Sequence, residues 1–150
     1  MTAFEIGTDG PQVIVVGIDG SDTSLRAAAY GWGLARRQGS KVVLVHVIGG
    51  LGSVATMVPV ATASAIQAGE EFTEELRTRA EEFARTTAAN VPYTFRAERG
   101  DPAAALMRVA DEVRADAVIV GASAQAGHRF IGSVAVRLVK AGRWPVTVVP

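Results

Sequence analysis

Val13-Ile14-Val15-Val16-Gly17-Ile18 is the run of residues that decides the fold. A continuous apolar, β-branched run is typical of a strand whose two faces are both covered, as in a parallel sheet. The next four residues, Asp19-Gly20-Ser21-Asp22, predict a turn in which Ser21 or Asp22 caps a helix. That helix is predicted by apolar residues at helical spacing, namely Leu25, Ala28, Ala29 and Trp32.

The same strand–helix alternation repeats to the end of the sequence. Asp101 and Pro102 are a capping residue and a first-turn residue for one later helix, and Gly132 to Ala141 predicts another. A long helix with an apolar side is predicted after residue 64. Further strands are predicted at 42–48, 93–97, 117–120 and 146–149. This order predicts an α/β fold, a doubly wound five-stranded parallel sheet with helices on both faces.

Length and composition favour one cytoplasmic domain over residues 1–150. The 15 basic and 15 acidic residues balance, so no nucleic-acid or anionic-membrane partner is expected. Cysteine is absent, which excludes disulfides and thiolate chemistry. No signal peptide and no apolar run long enough to span a bilayer is found. Residues 1–11 are predicted to be a flexible tail, and 49–64 a long loop.

Two loops at strand carboxyl ends are candidates for ligand binding. Gly17-Ile18-Asp19 follows the first strand, and a glycine-bearing loop runs from Gly121 to Ser133. In open α/β sheets, ligands bind where the strand order reverses. If the first and fourth strands are neighbours at that point, both loops face one crevice, and Asp19 could accept hydrogen bonds from a ribose or base. The later loop and the helix after it offer N–H groups to a phosphate. The alternatives are a turn or capping carboxylate and a plain strand–helix connection.

Catalytic and metal chemistry have little support. His46 lies in the middle of a strand and is expected to be a core histidine, while the neighbours His128 and Arg129 either donate to the phosphate or face solvent. Two separated histidines make no metal site by themselves, and no P-loop motif is present. We therefore expect no catalytic residue and no metal ligand.

Taken together, several segments make the chain resemble the universal stress protein family over nearly its full length. The resemblance is carried by Val15-Val16-Gly17-Ile18-Asp19-Gly20-Ser21, Val45-His46-Val47, Gly100-Asp101-Pro102, Ala115-Asp116-Ala117-Val118-Ile119-Val120-Gly121, Gly132-Ser133 and Trp144-Pro145-Val146-Thr147-Val148-Val149-Pro150. It implies a sheet of order 3-2-1-4-5, as in the related adenine nucleotide alpha hydrolases. It also implies a homodimer paired through the terminal strand Val146–Val149.

The resemblance further implies a crevice for ATP or another adenine nucleotide, with Mg²⁺ present only if a triphosphate is bound. The aspartate after the first strand contacts the nucleoside, the residue matching Val47 meets adenine through its backbone, and the glycine loop wraps the phosphates. The candidate nucleotide-binding residues are Gly17, Asp19, Val47, Val120, Gly121, Gly127, Arg129, Gly132, Ser133 and Val134.

The phosphate loop departs from the family pattern G-x2-G-x9-G-[ST]. Ala124 stands at the second glycine position, and seven residues rather than nine precede Gly132. If that position needs a left-handed backbone, alanine there costs on the order of 1 kcal/mol. The shorter span is not expected to encircle a triphosphate in the same way, although Gly127 could shift the flexible point downstream.

Three functions are compatible with the sequence. The preferred one is a dimeric stress-response module that binds an adenine nucleotide without fast turnover. The first alternative is an enzyme that cleaves or transfers part of ATP. The second alternative is a nucleotide-free dimer that acts through protein partners, with residues 49–64 as its contact.

Overall fold

The structure, a computed structural model, describes residues 10–49, 59–87, 90–125 and 128–150. The side chains of residues 59–62 and 124–130 are likewise outside the description. Most of the predicted tail, residues 50–58 of the predicted loop, and Gly127 therefore lie outside the described residues.

Strands and helices alternate along the chain as the sequence predicts. In chain order they are β1 (Val13–Gly17), α1 (Asp22–Gln38), β2 (Lys41–Gly49), α2 (Pro59–Thr86), β3 (Tyr93–Gly100), α3 (Pro102–Glu112), β4 (Ala117–Gly121), β5 (Ser123–Gln125), β6 (His128–Phe130), α4 (Ser133–Ala141) and β7 (Val146–Val149).

Five of the strands form one parallel sheet in the order β3-β2-β1-β4-β7. Numbered along the chain as strands of this sheet, that order is 3-2-1-4-5, so the predicted fold class is confirmed. The sheet grows outward from β1 in one direction and from β4 in the other. The strand order therefore reverses between β1 and β4, which is where ligands bind in sheets of this kind.

The core has two layers, one on each face of the sheet. Successive residues of β1 point to opposite faces, so Ile14 and Val16 pack beneath α1 and α2, while Val15 packs beneath α3 and α4. All three side chains are completely buried. This explains why β1 is apolar at every position instead of alternating.

Capping side chains explain where two helices begin. The Ser21 hydroxyl accepts a hydrogen bond from the Ser24 N–H at 3.2 Å, so Ser21 rather than Asp22 caps α1. The Asp101 carboxylate accepts one from the Ala104 N–H at 2.8 Å and caps α3, as predicted. Because Pro102 is the first residue of α3, its missing N–H costs no helical hydrogen bond.

Two predictions about loops are wrong in part. The predicted loop 49–64 is too long, because Gly49 still belongs to β2 and α2 begins at Pro59. Proline is well suited to a first helical position, and the alanine-rich residues that follow it favour a helix. The predicted loop between β4 and α4 contains the antiparallel pair β5-β6. Across the described residues, no helix is long and apolar enough to cross a membrane.

Candidate functional site

A crevice of about 230 Å³ opens at the reversal of strand order. Its floor is formed by the carboxyl ends of β1, β2 and β4, and its rim by the starts of α1, α3 and α4. Gly17 and Gly121 end the two central strands on either side of the reversal. The two candidate loops predicted from the sequence therefore border one cavity.

Most of the predicted site residues line this crevice. They are Gly17, Asp19, Val47, Val120, Gly121, Gly132, Ser133 and Val134. Gly127 and the Arg129 side chain lie outside the described residues. The sequence reasoning missed four hydroxyl-bearing residues that also line the crevice, namely Ser21, Thr23, Ser24 and Ser123. Their position in the sequence could have indicated them, because each lies within seven residues of the end of β1 or β4.

Asp19 is held in a fixed position at the mouth of the crevice. Its carboxylate accepts a hydrogen bond from the Ser21 N–H at 2.9 Å, and its own N–H donates to the Ser24 hydroxyl at 3.2 Å. Partial burial acts to raise the pKa of the carboxyl, but hydrogen bonds from Ser21 and Ser24 outweigh it and hold the pKa below its ordinary value. Asp19 is therefore a turn residue and, at neutral pH, an ionised acceptor in the crevice.

Gly121 is required by a close approach of backbone. A Cβ atom built on Gly121 would lie 2.5 Å from the carbonyl carbon of Thr23 and 2.6 Å from the Ser24 nitrogen. The backbone of Gly121 is not left-handed. The first turn of α1 thus packs directly on the end of β4, and the Thr23 hydroxyl donates to the Ala122 carbonyl at 2.6 Å. A side chain at position 121 would separate α1 from β4.

The first turn of α4 differs from those of α1 and α3. Its N-cap is Gly132, which has no side chain to accept from the first-turn N–H groups. The first helical hydrogen bond runs from the Val136 N–H to the Gly132 carbonyl at 3.1 Å. The three N–H groups before it, on residues 133–135, have no helical acceptor. Together with the helix dipole, they make this end of the crevice attractive to an anion.

Between β4 and α4, the short strands β5 and β6 pair with each other in antiparallel fashion. Ser123 pairs with Phe130 and Gln125 with His128. Ala124 lies inside β5, where the backbone is extended, so the strain expected from a left-handed alanine does not arise. The start of this strand pair packs on α4, because a Cβ on Gly132 would lie 3.0 Å from the Ser123 Cβ.

An ion pair joins α3 to α4 at the rim. The Arg137 guanidinium donates to both carboxylate oxygens of Asp101 at 2.8 and 2.7 Å. This contact and the Ala104 N–H hold the pKa of Asp101 below its ordinary value. Arg137 is engaged by this contact, so the anion-binding character of α4 comes from its backbone.

His46 is a core residue, as expected. It is 6% exposed, and its Nδ1–H donates to the Ile18 carbonyl at 2.9 Å. Phe72 of α2 packs edge-on against its ring. Within the described residues, no group of three or more His, Cys, Asp or Glu side chains is arranged to hold a metal ion.

Comparisons with known proteins agree on one family. The profile of the Universal stress protein family matches residues 11–150. A universal stress protein of Methanocaldococcus jannaschii is 27% identical over 146 residues, covering 91% of this chain and 80% of that protein. The structure of the universal stress protein UspA from Lactobacillus plantarum is similar in fold, with a TM-score of 0.82 at 19% identity, covering 93% of this chain and 97% of that one. A universal stress protein solved in complex with cAMP has a TM-score of 0.64 at 27% identity, covering 94% and 98%.

Proposed function

The chain belongs to the universal stress protein family, and we propose that it is a dimeric regulatory module of the cytoplasm whose crevice binds an adenine nucleotide with a single phosphate. The observation that carries this proposal is the pairing of two opposite electrostatic ends in one crevice. Asp19 provides a negative end, and the uncapped first turn of α4 provides a positive one.

The end of the crevice near Asp19 suits a nucleoside. An ionised carboxylate accepts hydrogen bonds from ribose hydroxyls, and it repels a phosphate. Beside it, Val45, Val47 and Leu106 provide apolar walls against which a base can pack. The backbone of Val47 offers polar groups to the edge of adenine, as the family resemblance implies.

The opposite end suits one phosphate group. The N–H groups of residues 133–135 converge at the start of α4, and the Ser133 hydroxyl lies in the same lining. A phosphate there would replace the missing N-cap side chain and gain from the helix dipole. Gly127 and Arg129 remain predicted contributors.

A pair of strands in place of an open loop favours a monophosphate over a triphosphate. Residues of β5 and β6 pair with one another, so part of their N–H groups is used within the pair. Fewer donors are left for a second and third phosphate. The relative that was solved with cAMP, a nucleotide with a single phosphate, supports the same preference.

Binding without rapid turnover is part of the proposal. Asp19 is the one ionisable side chain among the described residues that line the crevice. General acid–base catalysis uses a positioned proton donor and acceptor, and a lone carboxylate of lowered pKa suits the holding of hydroxyl groups better than the exchange of protons.

The test is a titration of the purified protein with AMP, cyclic AMP and ATP, followed by calorimetry and thermal unfolding. At one hundred times its dissociation constant, a ligand adds about 2.7 kcal/mol to the free energy of unfolding. For a chain of this length, that raises Tm by about 5–11 °C. We expect the monophosphates to bind more tightly than ATP.

Asp19→Asn tests the role of the carboxylate, since it removes the charge but keeps an oxygen for the Ser21 N–H. We expect AMP affinity to fall about tenfold, the loss of one charge-assisted hydrogen bond. Asp22→Asn is the matched control, because Asp22 lies in the first turn of α1 outside the crevice lining. If none of the three nucleotides binds, or if both variants weaken AMP equally, the nucleotide proposal is wrong.

The dimer is proposed to form through the free edge of β7. Within the described chain β7 is hydrogen-bonded only to β4, and an unpaired sheet edge is a template for pairing with a second copy. Its residues are Val146-Thr147-Val148-Val149, which favour a strand and carry no charge to prevent such pairing.

A further inference from the structure

The turn that carries Asp19 is held from three sides. On the first side it joins β2, because the Ile18 N–H donates to the Val45 carbonyl at 2.8 Å. On the second side it joins α1, since the Asp19 N–H donates to the Ser24 hydroxyl at 3.2 Å. On the third side Gly20 lies against α2. The turn is therefore fixed partly by a helix whose described residues lie outside the crevice lining.

Phe72 of α2 fills the space that a side chain on Gly20 would occupy. A Cβ atom built on Gly20 would lie 2.5 Å from the Phe72 Cζ and 3.3 Å from its Cε2. Gly20 has a φ of +83°, a left-handed conformation that glycine adopts without strain. The Phe72 ring therefore packs on the residue that separates Asp19 from Ser21, and the Ser21 N–H is the donor to the Asp19 carboxylate at 2.9 Å.

His46 connects Phe72 to the other end of the turn. The two rings stand edge-on, with 5.5 Å between their centroids. The buried His46 imidazole donates from its Nδ1–H to the Ile18 carbonyl at 2.9 Å. The position of Ile18 thus depends on a ring that α2 covers. Phe72 contacts the turn directly at Gly20 and indirectly through His46.

Phe83 provides a comparison that isolates the contact with the turn. Phe72 and Phe83 both lie on α2, and they are 37% and 43% exposed. Each stands edge-on to a buried ring, Phe72 to His46 and Phe83 to Trp32. Phe72 also packs on Gly20, whereas Phe83 lies about three turns further along the helix. The effect of Phe72 on the turn can therefore be separated from its effect on the packing of α2.

We propose that Phe72 is a positioning residue for Asp19, and thereby for the nucleoside end of the crevice. Its contacts with Gly20 and His46 hold the backbone of the turn where the Asp19 carboxylate borders the crevice. Phe72 acts without touching the ligand, since it does not line the crevice itself. This inference rests on the proposed function, because Asp19 holds a nucleoside only if a nucleotide binds there.

The first measurement needs no nucleotide. An NMR pH titration of the ¹³C-labelled full chain follows the pKa of the Asp19 carboxyl in the parent protein and in two variants, Phe72→Ala and Phe83→Ala. Burial acts to raise this pKa, but hydrogen bonds from Ser21 and Ser24 outweigh it and hold the pKa below its ordinary value. A turn released from Phe72 makes these hydrogen bonds for less of the time. We therefore expect the pKa of Asp19 to rise toward its ordinary value in Phe72→Ala and to stay at the parent value in Phe83→Ala.

Phe72→Leu is a second variant that keeps an apolar side chain on α2 but lacks the ring carbon nearest Gly20. We expect it to move the pKa of Asp19 in the same direction, and it decides the matter if Phe72→Ala does not fold. Equal pKa values of Asp19 in the parent protein, Phe72→Leu and Phe83→Ala would overturn the proposal, whether or not a nucleotide binds.

The second measurement is a calorimetric titration of the same proteins with AMP. Phe72→Ala should weaken AMP by about three- to tenfold, because a positioning residue contributes no more than the hydrogen bond that it positions. Phe83→Ala should leave the affinity for AMP unchanged. In a protein that already carries Asp19→Asn, Phe72→Ala should cost little further affinity, since the two residues act through one contact.

The outcomes of this titration separate the two proposals. An equal loss of AMP affinity from Phe72→Ala with and without Asp19→Asn would overturn the positioning role, because Phe72 would then act by a route other than Asp19. Absence of AMP binding to the parent protein would instead refute the proposed function, and the comparison of Asp19 pKa values would still decide whether Phe72 positions Asp19.

Discussion

Replacing Gly121 with alanine should destabilise the protein through a single steric contact. The added Cβ would lie 2.5 Å from the Thr23 carbonyl carbon and 2.7 Å from its oxygen. These are backbone atoms in the first turn of α1, so they cannot escape by a side-chain rotation. Relief requires α1 to move away from β4, which also strains the 2.6 Å hydrogen bond from Thr23 to the Ala122 carbonyl.

The expected cost lies at the upper end of the range for overpacking. Added methyl groups in well-packed sites cost about 1–3 kcal/mol, and we expect about 3 kcal/mol here because the obstacle is backbone. For a domain of this size each kcal/mol shifts Tm by about 2–4 °C, so Tm should fall by about 6–12 °C.

Gly33→Ala is the matched control for this substitution. Gly33 lies inside α1, and a Cβ built there has no neighbour within 4 Å. Alanine is favoured over glycine inside a helix by about 1 kcal/mol, so Tm should rise by about 2–4 °C. Thermal unfolding followed by circular dichroism, at one fixed protein concentration, measures both variants. A Gly121→Ala protein that unfolds within 2 °C of the parent chain would refute the close-approach argument.

Two further predictions concern the rim ion pair and the sheet edge. Arg137 and the Ala104 N–H lower the pKa of Asp101, so the stabilisation that Asp101 contributes is complete above its unfolded-state pKa and is lost as the pH falls through its folded-state pKa. Between about pH 5 and pH 3, the free energy of unfolding of Asp101→Asn, measured by urea unfolding, should therefore fall less than that of the parent chain. An equal fall in both proteins would contradict this. The Val118 N–H donates to the Pro145 carbonyl and the Ala122 N–H to the Val149 carbonyl, so alternate residues of β7 face β4 and the N–H of Val148 points to the free edge. Val148→Pro removes that N–H and should shift the proposed dimer to monomer in sedimentation velocity, whereas Val148→Ala should stay dimeric. Two variants with the same assembly would count against pairing through β7.

The sequence predicted the sheet well because burial has a local signature. β1 is apolar at every position, which is typical of a strand covered on both faces, and the alternation of strands and helices along the chain predicts parallel pairing. The caps at Ser21 and Asp101 were also readable, since a capping side chain contacts N–H groups only three residues away. The candidate crevice followed from these strand ends, and eight of the ten predicted residues line one cavity, namely Gly17, Asp19, Val47, Val120, Gly121, Gly132, Ser133 and Val134.

The strand pair β5-β6 and the start of α2 were missed for a different reason. Three-residue strands are too short to show alternation, and Ala124 has no strong preference for a strand. Near α2, Gly49, Gly50 and Gly52 favour a loop, so the first residues of the helix that begins at Pro59 were predicted as part of that loop. The hydroxyls of Thr23 and Ser123 were passed over because small polar residues after a strand usually serve only as turns.

The sequence by itself determined the alternation of elements, the family, and the pair of loops at the reversal of strand order. The alternation follows from hydrophobic period and capping pattern, which involve residues close together along the chain, whereas the strand order and its point of reversal were implied by the resemblance to the family. Only the tertiary structure decided why Gly121 must lack a side chain, since Thr23 approaches it from nearly a hundred residues away. It likewise decided that Ala28 of α1 and Ala80 of α2 border one apolar cavity. Such contacts depend on how helices dock on the sheet, and no local pattern reports that geometry.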